Sequence, residues 1–321
     1  MKFWIAVAVC ALAVIAGPML FSSYAMSFLI QLFMFAVLAC SWNIIGGYAG
    51  YAHFGQASFF GVGAYVGTLL TLRLGVHWAA AAVVAAVTGL LMALILGRIL
   101  LRLKGHYFAI AMFGLTRVFE AIAYGWSSLT EGGTGLYLPP AYDLNPIYYA
   151  FAGLALAMVL LTRWIDGSRF GLQLLAIRED ETAAEALGIR TTRLKVIAFA
   201  MSATAPAAAG ALFATYSSFI DPATAFSPMM ELTTIAMVLF GGMGTVLGPL
   251  LGAALLSVLN DLLWARFQEL YLGMVGIAIV AAVLLMPRGI VNMAVKRAWL
   301  PPGRAVFRRL ALGLIAARRD P

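Results

Sequence analysis

Apolar stretches of close to twenty residues recur along nearly the whole chain, and no other feature limits its fold so strongly. An α-helix rises 1.5 Å per residue, so about twenty apolar residues cross a hydrocarbon core of about 30 Å. Candidate spans lie at 3–21, 25–46, 55–73, 78–99, 108–124, 146–164, 195–216, 229–241, 245–264 and 270–287. The eighth is short for a crossing, and the fifth and eighth hold charged residues. Composition agrees: 63% of the 321 residues are hydrophobic and 11% are charged, where a soluble domain carries about 25% charged residues. So few polar side chains cannot cover a water-facing surface, and lipid is the solvent that accepts the rest. The expected fold is all-α, one polytopic transmembrane helix bundle of about ten spans, with eight as the alternative. The first stretch begins like a secretory signal, with Lys2 ahead of an apolar run. From Phe3 to Phe21 it exceeds the 7–15 residues of a signal core, so a retained first span is the preferred reading.

Charge placement supplies an orientation. Basic residues concentrate in cytoplasmic segments of membrane proteins. If the N-terminus is cytoplasmic, the inside segments hold every Lys and Arg of the 21 except Arg73, Arg117 and Arg266. The C-terminal tail, 288–321, is strongly basic and falls inside as well. Two inside termini require an even number of crossings, so Gly241-Gly242-Met243-Gly244 must break the apolar run from 229 to 264 into two. The formal charge of +8 is spread over short loops. Nucleic-acid binding needs a clustered basic face, and nucleic acid is therefore excluded as a partner. Cys10 and Cys40 lie in apolar runs, and His53, His77 and His106 are far apart at span ends, so no metal site is expected.

One segment interrupts the apolar pattern. Residues 165–194 form a charged loop, longer than bundle connections usually are. Within it Glu179, Asp180, Glu181, Thr182, Ala183, Ala184, Glu185, Ala186, Leu187 and Gly188 read as a short helix. Three acids in its first turn complement the helix dipole, and Gly188 stands where a left-handed C-terminal cap belongs. Ala183 and Leu187 share one face. Such a helix either ties two spans together or lies at the membrane surface as a docking site for another protein. The chain carries no G-x-x-x-x-G-K-[ST] phosphate loop, so an energy source must lie elsewhere.

Ala183-Ala184 followed by Gly188 has the spacing of the E-A-A-x-x-x-G loop of ABC importer permeases, with Thr182 where that pattern has Glu. Its surroundings resemble the LivM-type permeases of branched-chain amino acid ABC importers: Ser168-Arg169-Phe170-Gly171, Ala176 to Glu181, Ala184 to Ile189, and Lys195 to Phe199. So do Gly47 to Gly50 with Phe54-Gly55-Gln56-Ala57 and Gly61 to Tyr65, Leu103 to Ile110, and Gly241 to Gly244 with Gly248-Pro249. The resemblance runs over most of residues 40–290. It implies a permease domain in the bacterial inner membrane, coupled through 165–194 to ATPase partners. The implied assembly holds a second homologous permease subunit, two ATPase subunits that carry ATP and Mg, and a periplasmic substrate-binding protein. No cofactor and no catalysis are expected in this chain itself. A stand-alone secondary transporter or channel is the alternative reading.

Candidate pathway residues come from the glycine-rich stretches. Gly46 to Gly67 holds seven glycines among aromatic residues, and such stretches either pack helices closely or line a cavity. Phe54, Gln56, Gly61, Gly63, Gly241 and Gly242 are the candidates, Gln56 foremost. Arg117 and Glu120, three apart within a span, are placed to form an intramembrane ion pair. Glu231 and Asp261 sit near span ends, where water is expected to reach them. The polar segments 127–143 and 217–227 are expected on the outer side.

Overall fold

The computed structural model describes residues 22–103, 105–140 and 143–266, with isolated positions at 14, 17, 18, 273, 276 and 290. The expected spans 3–21 and 270–287 and the tail 288–321 lie outside the described residues, as Lys104 does. The other eight expected spans are all helical. Seven helices are long and apolar enough to cross a membrane, and Gly248–Leu263 adds a shorter apolar helix. The protein is an all-α, multi-pass membrane protein.

The first helix, α1 (Ser23–Trp42), runs on into a π-helical turn at Asn43–Tyr48. It is followed by α2 (Gln56–Leu74), α3 (Trp78–Leu100), α4 (His106–Gly125) and α5 (Asn145–Gly167). Two short helices, α6 (Arg169–Glu179) and α7 (Glu181–Ala186), then lead to α8 (Thr191–Ser217). Among the described residues, α9 (Pro222–Ala225), α10 (Pro228–Gly241) and α11 (Gly248–Arg266) come next.

Helix α8 is the hub, packed most heavily against α2 and α3. Its middle is built from Ala and Gly, and lipid tails give helices no hydrophobic reason to associate, so close backbone approach is what holds them together. A Cβ on Gly63 of α2 would strike the backbone of Ala207, and one on Gly210 would strike the Phe60 carbonyl. The first residue of α2 lies beside α1, where Gln56 Nε2 donates to the Leu38 carbonyl at 2.8 Å.

The two ends of the bundle are distinct. At one end lie α6 and α7, the π turn, the end of α3, the start of α8 and the turn between α10 and α11. At the other, Arg73 donates to the carbonyls of Ser128 and Leu129. There the polar segments expected on the outer side meet as a two-stranded ribbon, β1 (Leu136–Tyr137) antiparallel to β2 (Phe219–Ile220). Leu136 pairs with Ile220, and the rings of Tyr137 and Phe219 stand 4.8 Å apart.

Two expectations need correction. Residues 179–188 are not one helix. Asp180 is extended, at φ −158° and ψ 111°, so Glu179 ends α6 and Asp180 caps α7. Asp180 favours this because its short carboxylate reaches the amides of Thr182 and Ala183 at 2.8 and 3.0 Å. Only Glu181 remains in the first turn. Glu231 is not open to water: it is 3% exposed, and its carboxylate accepts the Gln56 amide hydrogen at 2.9 Å. That bond satisfies one of the amides at the start of α2 that have no partner within the helix.

Candidate functional site

The charged loop and the two glycine blocks meet at one end of the bundle. In the π turn, Asn43 reaches across to the turn after α10: its Oδ1 accepts from the Gly244 amide at 2.8 Å and its Nδ2 donates to the Thr245 carbonyl at 3.0 Å. The carbonyls at the end of this turn have no partner within the helix, and one of them, Gly47 O, accepts from Arg178 of α6 at 2.7 Å. Arg178 also lies over Gly50 and close to Gly244. A Cβ at Gly47 would collide with the Gly244 backbone, so the two blocks touch only because both are glycine there.

Helix α7 is held by a second set of contacts. Lys195, in the first turns of α8, is 2% exposed. Its ammonium has three donors, and all three are used: on Glu181 at 2.6 Å, on the Tyr51 hydroxyl at 2.8 Å, and on the Leu101 carbonyl at 3.3 Å. Tyr51 in turn donates to the other oxygen of Glu181 at 2.6 Å, and its ring lies 4.9 Å beneath the ammonium. Burial, and then the bond to Glu181, raise the Tyr51 pKa, so the phenol keeps its proton. Glu185 accepts from Thr191 at 2.6 Å. At the far end of α7 the Gly188 amide bonds to Glu185 O and the Ile189 amide to Ala184 O, with Gly188 at φ +81°. This is the paired C-terminal capping pattern that favours glycine.

The face of α7 follows from this anchoring. Ala184 is buried, whereas Ala183 and Ala186 are exposed and Leu187 is 80% exposed. An apolar tip therefore projects beyond the end of the bundle on a helix fixed at both ends. The connector from Ala49 to Gly55 links this region to α2. His53 there is fully buried among Phe59, Phe108 and Phe199. Burial lowers its pKa to about 3, so the ring is neutral.

The pathway candidates pack inside the chain. Gly61 sits against the Phe226 ring, Gly63 against Ala207, and Gly241 against Gly248. Gly242 and Gln56 are buried and Phe54 is half-buried, so Gln56 does not face an opening within this chain. Arg117 and Glu120 do pair, on α4. Arg117 lies about 17 Å along the helix from His106 and about 12 Å from Gly125. It also donates to the Phe226 carbonyl, at the break between α9 and α10, and sits 5.6 Å from the Phe113 ring. The surrounding face of α4 is open, with Ile110, Phe113, Val118 and Ile122 exposed.

Arg178, Asn43 and Lys195 were not singled out by sequence reasoning. Lys195 was noted only as a basic residue and as the start of the run to Phe199, yet its place directly before an apolar, alanine-rich helix core was a signal. Nothing local marks Asn43 or Arg178, whose partners lie more than 130 residues away.

Comparison with known proteins gives the same picture from another side. The family model described as branched-chain amino acid transport system / permease component matches residues 24–283. The LivM permease protein of the high-affinity branched-chain amino acid transport system of Salmonella typhimurium is 26% identical over 322 residues, covering 91% of this chain and 75% of the relative. The LivH permease protein of the Escherichia coli system is 26% identical over 286 residues, covering 80% of this chain and 91% of the relative. The LsrC permease protein of an autoinducer 2 import system from Yersinia pseudotuberculosis is 31% identical over 133 residues, 40% of this chain and 37% of the relative. No solved structure matches the chain. The match spans the membrane helices and the junction alike, and the chain belongs to the family of permease components of branched-chain amino acid transport systems.

Proposed function

We propose that this chain forms half of an ATP-driven importer for branched-chain or closely related amino acids, working by alternating access. As a permease subunit of an ABC importer it carries no catalytic step. A second homologous permease completes the pathway, two ATPase subunits bind ATP and Mg, and a periplasmic protein delivers the substrate. The end of the bundle with α6 and α7 faces the cytoplasm of a bacterial inner membrane, with both termini on that side. The placement of basic residues supports this reading. With 3–21 and 270–287 read as spans from their hydropathy alone, the proposed crossing number is ten.

The observation that carries the proposal is the fixed, projecting tip of α7. A surface helix that only tied α6 to α8 would need no buried Lys195–Glu181–Tyr51 network behind it. Anchored as it is, α7 passes a push from an ATPase subunit in two directions. One runs through Glu181 and Lys195 into α8. The other runs through Arg178 of α6 into the Gly47–Gly244 contact, and so into α1, α10 and α11. The substrate moves along the open face of α4, where an ion pair set against lipid would be costly. Phe54, Gln56, Gly61, Gly63, Gly241 and Gly242 support that face from behind as the joints that let helices shift.

Reconstitution tests the reading. The complex in proteoliposomes should accumulate leucine, isoleucine or valine only with ATP and loaded binding protein. Uptake that proceeds without ATP down a sodium or proton gradient would favour a secondary transporter instead.

A further inference from the structure

We infer that the groove between the end of α3 and the start of α8 holds the phosphate of an anionic membrane lipid. The groove encloses about 690 Å³. Three arginines converge on it: Arg98 from the last turn of α3, and Arg190 and Arg193 from the start of α8. None of the three makes an ion pair among the described residues. The acid lining the groove, Glu185, is engaged with the Thr191 hydroxyl. The groove therefore keeps an excess of positive charge.

The start of α8 adds to that charge. Its N-cap position, Arg190, supplies no side-chain acceptor. Apart from Glu185 at the Thr191 hydroxyl, no side chain among the described residues meets the partial positive charge of this long helix, and an anion is favoured beside the arginines. Guanidinium groups match phosphate oxygens in pairs.

The rest of the lining decides which phosphate fits. Leu94, Val196 and Ile197 form an apolar wall below the arginines. That wall continues onto the outer face of α3, where Leu91, Ile95 and Ile99 are each more than half exposed. A soluble phosphate would use the charges and leave the wall wet. A phospholipid uses both, with its headgroup at the arginines and its acyl chain along α3. Basic pockets between spanning helices at the membrane surface take anionic headgroups for this reason. Because Glu185 and Ile189 belong to α7 and its cap, the lipid bridges α3 to the projecting helix. This inference does not depend on what the protein transports.

Native mass spectrometry tests it on the transporter complex that contains this chain, purified with phosphatidylglycerol and phosphatidylcholine offered in equal amounts. Phosphatidylglycerol should be retained preferentially, and each arginine replaced should weaken that preference about fivefold. Arg98→Gln/Arg190→Gln/Arg193→Gln should bring the two lipids level. Arg98→Gln alone, which leaves α7 and α8 untouched, serves as the test if the triple variant does not assemble. Equal retention of phosphatidylglycerol by parent and variant would overturn the proposal. So would displacement of the lipid by millimolar inorganic phosphate, which would mark a soluble-anion site. A variant that keeps its lipid preference but loses an ATPase subunit would assign the groove to a protein and overturn it equally.

Discussion

Two ion pairs in this molecule sit in opposite surroundings. Lys195 and Glu181 lie behind α7 with the ammonium 2% exposed and every donor engaged. Arg117 and Glu120 lie in mid-span with the arginine side chain 35% exposed on an open helix face. The first pair is closed, and in the proposed function it is the rigid link to the motor. The second is open, on a surface that lipid would penalise, and in the same proposal it belongs to the face along which the cargo moves. The difference is one of surroundings, since the residue types are nearly the same.

Breaking the closed pair should produce the largest effect. Lys195→Met leaves Glu181 and Tyr51 facing a buried apolar side chain, at a cost of about 3–5 kcal/mol. The melting temperature of the complex in detergent should fall sharply. Lys195→Met with Glu181→Leu should recover most of the loss, since removing both charges is far less costly than removing one. A double variant no more stable than the single one would mean that the network is not a unit.

The open pair should behave the other way. Arg117→Gln should change stability less than Lys195→Met does, because the pair is partly exposed, at 35% and 19%, rather than sealed. Uptake should nevertheless fall about tenfold or more, as expected for a charge on a transport route. A large drop in melting temperature with uptake preserved in the surviving protein would make this pair structural, and the comparison would collapse.

A smaller effect sharpens the picture of the closed region. His53 is held neutral by burial, with its pKa lowered to about 3 against about 6.5 in an unfolded chain. Between those values the unfolded state binds the extra proton, so stability rises with pH. It should decline as pH falls below about 6.5 and continue to decline toward pH 3. His53→Phe, which fits among the rings of Phe59, Phe108 and Phe199, should flatten that part of the melting-temperature profile. An unchanged profile in the variant would place the acid sensitivity elsewhere.

Hydropathy made the spans legible because a helix in lipid must be apolar for its whole length, and the described helices begin and end within a few residues of where the pattern put them. The break after Gly241 was legible for a different reason, since charge placement required an even count. The exception within that stretch is α9, which carries the helical run back to Pro222 across a kink at Phe226–Ser227. What the sequence could not show is contact across distance. Gly47 and Gly244 each stood out as glycine-rich, but nothing in their spacing says that they touch. The charged loop was recognised from composition, and Ala183 and Leu187 do share an exposed face, but nothing in the pattern showed that Ala184 points inward, so Leu187 is the better probe of docking. Arg178 and Lys195 looked like ordinary loop charges because long side chains conceal where their heads go.

Leu187 also gives the most direct test of the central claim. Leu187→Arg alters an 80% exposed side chain at the tip of α7 and touches none of the anchoring contacts. In proteoliposomes with the complete importer, this variant should insert and melt like the parent while ATP-driven uptake is lost. Uptake at the parental rate from the Leu187→Arg complex would contradict the assignment of α7 as the link to the ATPase.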